Sequence, residues 1–152
     1  MRYAFLGLMC AFAAAYAAVG RKGSLAARLT LKSAASVSFV LIAFAARLDA
    51  PEPYFTLILT GLCLSLAGDV LLVLPGAAAL VAGGGVFLLA HLGFIAAFLI
   101  YAPLKWMDGL LFAAFAALGA AIFLGKLKAF GRLAPFVVLY AAVLCALAAK
   151  AP

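Results

Sequence analysis

The chain has 152 residues, 71% of them apolar and 10% charged, with a mean hydropathy of +1.35. Those values exclude a soluble globular domain and place the chain among integral membrane proteins, as one helical bundle without a soluble appendage. The excess of 11 Lys and Arg over 4 Asp and Glu does not mark a nucleic-acid surface, because the cations fall in short loops rather than on one aromatic-bearing face; it reflects topology and contact with anionic headgroups.

Arg2 followed by the apolar run Tyr3 to Val19 admits two readings. A secretory leader has this charge and core, with Ala15-Tyr16-Ala17 as a cleavage site. A first transmembrane helix over residues 3–19 is preferred, since a run of about 17–19 residues matches a bilayer core. Gly20 to Ser24 then breaks the helix with the basic pair Arg21 and Lys22. The second span, residues 29–46, carries Lys32 in its first turns, on a stem long enough either to snorkel toward headgroups or to reach inward.

Arg47 to Pro53 holds two prolines and two acids, Asp49 and Glu52, and reads as an exposed turn. The third span, residues 54–74, contains Asp69. A carboxylate near a helix centre costs roughly 2.5–3.5 kcal/mol on insertion scales, so it is expected to face inward with a partner or a task. Ser65 lies four residues before it and shares its face, with Gly61 on the same stripe and Gly68 beside it, so that a neighbouring helix can approach closely.

Pro75 and Gly76 end that helix, and Ala77 to Gly85 reads as a short flexible re-entry into a fourth span over residues 82–101. His91 lies within it, flanked by Phe87, Phe94 and Phe98; a hydrogen bond to a neighbour and a functional role are both open to it. After a turn with Lys105 and an interfacial Trp106, the fifth span, residues 107–124, is apolar scaffold. A basic loop with Lys126, Lys128 and Arg132 leads to the sixth span, residues 133–149, with Pro135 in its first turn and Tyr140 inside the membrane. Cys10, Cys63 and Cys145 each fall in apolar runs without CxxC spacing and read as packing residues.

The sequence thus predicts an all-α membrane protein, a single domain over residues 1–152 with about six transmembrane helices. Arg21, Lys22, Arg28, Lys32, Lys126, Lys128 and Arg132 fall on one side, against Arg2, Arg47, Lys105 and Lys150 on the other. The positive-inside bias places the first group in the cytoplasm and the N-terminus outside, in the cell inner membrane. At about 1.5 Å per residue, Asp69 then lies roughly 7–8 Å from the cytoplasmic end of its helix, in the same half of the bilayer as Lys32, His91 and Tyr140. One pocket is expected, with Asp69 and His91 within hydrogen-bonding or water-bridged reach.

The run Leu64-Ser65-Leu66-Ala67-Gly68-Asp69-Val70-Leu71-Leu72, followed by Gly85 to Phe94 with His91 and then Ala97-Phe98, resembles the signature of the YhhN-like lysoplasmalogenase family. Lys32, Pro135 and Tyr140 resemble further positions of that family, so the likeness extends from about Lys32 to Tyr140. The resemblance implies a hydrolase that cleaves the vinyl-ether bond of a lysoplasmalogen to a fatty aldehyde and a glycerophospho-base. It implies Asp69 as the acid or base with His91 as the other catalytic residue, and Lys32, Ser65 and Tyr140 around a lysophospholipid-type substrate. No metal or other cofactor is implied, and no nucleic acid; membrane lipids are the other partners. The sequence is silent on headgroup, chain preference and oligomeric state.

Members of that family are longer, with about eight helices and a second acidic motif after the Pro and Tyr segment. Here Asp49, Glu52 and Asp108 lie in or near loops, so the chain reads as lacking that C-terminal part and a two-carboxylate mechanism cannot be assembled from one copy. Two alternatives stay open: a small lipid- or solute-binding or transport bundle, and a truncated, inactive family member. An intramembrane aspartyl protease is disfavoured, because Leu66-Ala67-Gly68-Asp69 departs from Gly-x-Gly-Asp and has no second aspartate.

Overall fold

The computed structural model describes the backbone of residues 2–47 and 51–150. Asp49, read above as part of an acidic turn, and the side chains of Arg2 and Arg21 lie outside the described residues. Six α-helices follow one another: α1 (Arg2–Val19), α2 (Leu25–Ala46), α3 (Glu52–Val73), α4 (Ala77–Tyr101), α5 (Trp106–Phe123) and α6 (Ala134–Lys150). Four helical stretches, Leu25–Ala46, Glu52–Val73, Ala77–Tyr101 and Trp106–Lys150, are long and apolar enough to cross a membrane; the last comprises α5, α6 and the helical turns between them. The protein is an all-α, multi-pass membrane protein.

Local chemistry sets the breaks. Gly20, at φ 54°, ends α1, and Ser24 caps α2 by accepting from the Ala27 amide at 3.2 Å. Pro51 precedes α3 and Pro53 sits in its first turn, where the missing N–H is one that the helix would leave unpaired anyway. Leu74 turns extended ahead of Pro75, and Gly76 takes φ 108° before α4 starts. Within the apolar helices, hydroxyls fold back on their own backbone: Thr30, Ser38 and Thr60 donate to the carbonyls of Ala26, Ala34 and Thr56 at 2.8–2.9 Å. Each polar group is thereby satisfied without water.

One boundary differs from the sequence reading. Residues 77–85 are helix rather than a flexible re-entry, and Gly83 to Gly85 lie inside α4. Gly83 is buried, and a Cβ there would stand 2.9 Å from the Leu72 side chain and 3.3 Å from the Gly68 carbonyl. The glycine is used for close approach of α3 and α4, and in an apolar setting the backbone keeps its helical hydrogen bonds because no water competes for them.

The chain forms two compact units, one up to Gly93 and the other from Phe94. In the first, α2 packs between α1 and α3, and α4 lies antiparallel to α3, with Gly83 beside Leu72, Phe87 over Gly68 and Gly93 near the Leu57 carbonyl. Phe44 and Phe55 meet edge to face at 6.0 Å near the α2–α3 turn, where Arg47 pairs with Glu52 at 3.4 Å. In the second, α5 packs on α6, and the two are joined by the 3-10 segment Leu124–Leu133, which bends at Gly131 (φ 51°).

The open end of this hairpin carries a polar clasp. Asp108 accepts from the Lys105 amide at 3.0 Å, capping α5, and its Oδ2 also takes the Lys150 ammonium at 2.8 Å. Lys150, only 9% exposed, donates in addition to the Pro103 carbonyl at 2.9 Å. Removing the cation leaves the Pro103 carbonyl without its donor and Asp108 without its counter-charge, whereas the apolar stem can be kept. Lys150→Met is therefore expected to speed amide exchange in the last turn of α6 and the first turn of α5, measured by hydrogen–deuterium exchange; unchanged rates would mean that the clasp is incidental.

Candidate functional site

Asp69, on α3, points its carboxylate at α2. Its Oδ1 lies 3.0 Å from the Lys32 ammonium, and its Oδ2 is hydrogen-bonded to the Ser36 hydroxyl. The pair is largely withdrawn, with side-chain exposures of 24% for Lys32 and 20% for Asp69, and Ser36 is 6% exposed. Lys32 therefore reaches inward instead of snorkelling. Its ammonium also stands 6.0 Å above the Tyr16 ring, so that α1 closes the third side through a cation–π contact.

Spacing explains the assembly. Lys32 and Ser36 are four residues apart, one turn of α2, and so present both groups to the same stretch of α3. Ser36 and Tyr16 were not singled out in the sequence. The i, i+4 spacing to Lys32 is the signal that could have found Ser36; Tyr16 has no local signal, since its role depends on how α1 packs on α2.

Ser36 has a chemical property that the rest of the cluster lacks. Its hydroxyl lies within hydrogen-bond reach of two acceptors, the Asp69 carboxylate and, at 3.1 Å, the Lys32 carbonyl. One hydroxyl carries one hydrogen and two lone pairs. With Asp69 ionised, the hydrogen goes to the carboxylate. With Asp69 protonated, the carboxyl can donate to Ser36 while Ser36 donates to the Lys32 carbonyl. Both protonation states are then satisfied by a rotation of one hydroxyl, with no movement of the backbone.

The other expected residues lie as follows. Ser65 is half-buried, one turn before Asp69 on α3. His91 is half-buried on α4, and its Nδ1 meets the Phe87 carbonyl, which can only accept, so Nδ1 carries the hydrogen. The Phe87 ring, 6.0 Å from the imidazole, occupies the space that Gly68 leaves open next to Asp69. One aromatic residue thus touches both the histidine and the backbone beside the carboxylate. The bonds of Asp69 itself run to α2. Tyr140 belongs to the second unit, where it stacks on Phe136 with centroids 6.3 Å apart.

No group of three His, Cys, Asp or Glu side chains among the described residues could hold a metal ion. The cluster is one anion, one cation, a hydroxyl and a phenol ring, set in apolar helices. A profile of the YhhN family matches residues 27–152. The chain belongs to the YhhN family. The YhhN match includes Lys32, Ser36, Ser65, Asp69, His91 and Tyr140, while Tyr16 lies ahead of it. Neither the curated proteins nor the solved structures compared with the chain yield a match.

Proposed function

We propose that this YhhN-family protein is a membrane-embedded hydrolase that cleaves the vinyl-ether bond of a lysoplasmalogen, giving a fatty aldehyde and a glycerophospho-base. Known members of the family are lysoplasmalogenases. The observation that carries the reading here is the Lys32–Asp69–Ser36 cluster, in which an intramembrane carboxylate has partners for both of its protonation states.

Vinyl-ether hydrolysis needs those two states. A proton adds to the alkenyl carbon remote from the ether oxygen, and the double-bond electrons leave an oxocarbenium ion at the other carbon. A nearby carboxylate stabilises that cation in a low-dielectric site. Water then attacks the oxocarbenium carbon and gives up a proton, forming a hemiacetal. The hemiacetal collapses to the aldehyde and a free glycerol hydroxyl. The proton consumed in the first step is returned in the second, so water is the only co-substrate. Asp69 serves as the acid and base of this exchange, with Ser36 turning to follow its proton, Lys32 fixing the carboxylate, and His91 as the second acid–base group of the site. Ser65, one turn before Asp69 on α3, contacts the lysophospholipid. The bilayer is the cell inner membrane, with the N-terminus outside, as the distribution of basic residues favours.

The test is fatty-aldehyde release from a lysoplasmalogen by the purified chain in detergent, beside Asp69→Asn and an ester-linked lysophospholipid as control. Release from the vinyl ether alone, lost in Asp69→Asn, is the expected result. A folded wild-type chain that binds the lipid without turnover would instead favour a lipid-binding bundle, because a polar pair between helices can serve recognition as well as chemistry.

A further inference from the structure

The second unit contains a groove of about 440 Å³ along the α5–α6 hairpin. Its walls are apolar apart from Tyr140 and Cys145, its floor is small (Ala116, Gly119, Ala120), and one end is formed by Leu124 and Leu127 of the 3-10 segment. That segment has a pattern of its own. Leu124, Leu127 and Phe130 recur every third residue, and in a 3-10 helix residues three apart eclipse one another, so the three make one apolar ridge up to the bend at Gly131. Lys126 and Lys128 fall on the other two faces, Arg132 follows the bend, and all three are exposed. No Asp or Glu follows Asp108 in the sequence, and Asp108 is engaged at the far end of α5 with Lys150. The three cations therefore have no acidic side chain of their own segment to neutralise them.

We infer that this groove and the basic 3-10 segment form a binding site for an anionic bilayer phospholipid, its phosphate on Lys126, Lys128 and Arg132 and one acyl chain along the groove. Length distinguishes this occupant from a partner helix. The groove extends along α5 from Leu124 to Phe112, twelve residues or about 18 Å at the helical rise. One leaflet contributes about half of a hydrocarbon core of roughly 30 Å. The groove thus runs one leaflet deep from a cationic end, which fits a headgroup with its chain, whereas a spanning helix would need a face through both leaflets. A basic residue close to an anionic surface raises lipid affinity by about fivefold, which gives three such residues a clear preference over zwitterionic lipid.

The experiment uses the full chain with Trp106→Phe and Phe123→Trp, which moves the single tryptophan into the groove wall. It is reconstituted in phosphatidylcholine vesicles containing graded amounts of chain-brominated phosphatidylglycerol or, in parallel, chain-brominated phosphatidylcholine, and tryptophan quenching is read. Phosphatidylglycerol is expected to quench at a mole fraction lower by roughly a hundredfold, about fivefold for each of the three cations. Replacing Lys126, Lys128 and Arg132 by Gln in turn should reduce that preference by about fivefold each until the two lipids are equivalent. Filling the groove with Ala120→Phe, or with the milder Ala141→Leu, should remove the preference while the cations remain. Equal quenching by the two lipids in the starting protein, or a preference that survives the triple Gln variant, would overturn the site. A preference undiminished by both groove-filling variants would reduce it to diffuse attraction of headgroups and would overturn it equally.

Discussion

Lys32→Met is expected to cost about 3 kcal/mol of stability and to end aldehyde release, whereas Lys32→Met combined with Asp69→Asn regains most of the stability and none of the release. The single change leaves a carboxylate, four-fifths withdrawn, facing an apolar chain with Ser36 as its remaining donor among the described residues. Removing one partner of a withdrawn pair typically costs about 3–5 kcal/mol, and the residual exposure of both side chains brings the figure to the lower end. In the double variant no charge is stranded, and Asn still accepts from Ser36. Stability is read by titrating the mixed-micelle fraction of sodium dodecyl sulfate and following helicity, and release by the aldehyde assay. A double variant as unstable as the single would mean that the pair is not the coupled unit described. A double variant that still releases aldehyde would remove Asp69 from the chemistry.

Gly68→Ala is expected to be nearly as damaging, although it adds one methyl group. A Cβ at Gly68 would stand 2.5 Å from Phe87 Cδ2 and 2.7 Å from Cε2, well inside contact distance, so the ring must move. Overpacking of this kind costs about 1–3 kcal/mol. The ring it displaces packs against the His91 imidazole, with centroids 6.0 Å apart, so the histidine loses its present packing. A displacement of about 1 Å at a catalytic group can cost about a hundredfold in rate. Gly68→Ala with Phe87→Leu should recover stability, since the smaller side chain vacates the space, and comparing the two variants in the same unfolding and release assays separates crowding from loss of the aromatic contact. A Gly68→Ala protein with wild-type stability would show that α3 and α4 have slack here.

The helices were legible because their ends are chemically marked: Gly20, the Pro51 and Pro53 pair, and Pro75 with Gly76 each break a run of otherwise uniform hydropathy. The start of α4 was misplaced for the same reason. Three consecutive glycines signal a break in water, where backbone groups have an alternative partner, and cease to do so where the apolar surroundings offer none. At the site, Asp69 announced itself by its cost in hydrocarbon, and Lys32 by standing at the head of a span. Which way Lys32 would lean was open, because a long flexible stem permits both directions until the packing of α1 and α2 decides. Ser36 was hidden among Ser33, Ser36 and Ser38, any of which could fold back on its own helix, as Ser38 does. Lys150 could not be paired with Asp108 from local spacing, since 42 residues separate them.

That separation bears on the order in which the chain can be built. Asp108 and the Pro103 carbonyl emerge at the beginning of α5, and the ammonium that joins them belongs to the final turn of α6. Until that turn is synthesised, the Pro103 carbonyl relies on interfacial water and Asp108 has only the Lys105 amide of its own cap, so α5 enters the bilayer with its leading polar end still hydrated. Closure of the hairpin accordingly waits for α6 to emerge and insert, and α5 stays unfastened until then.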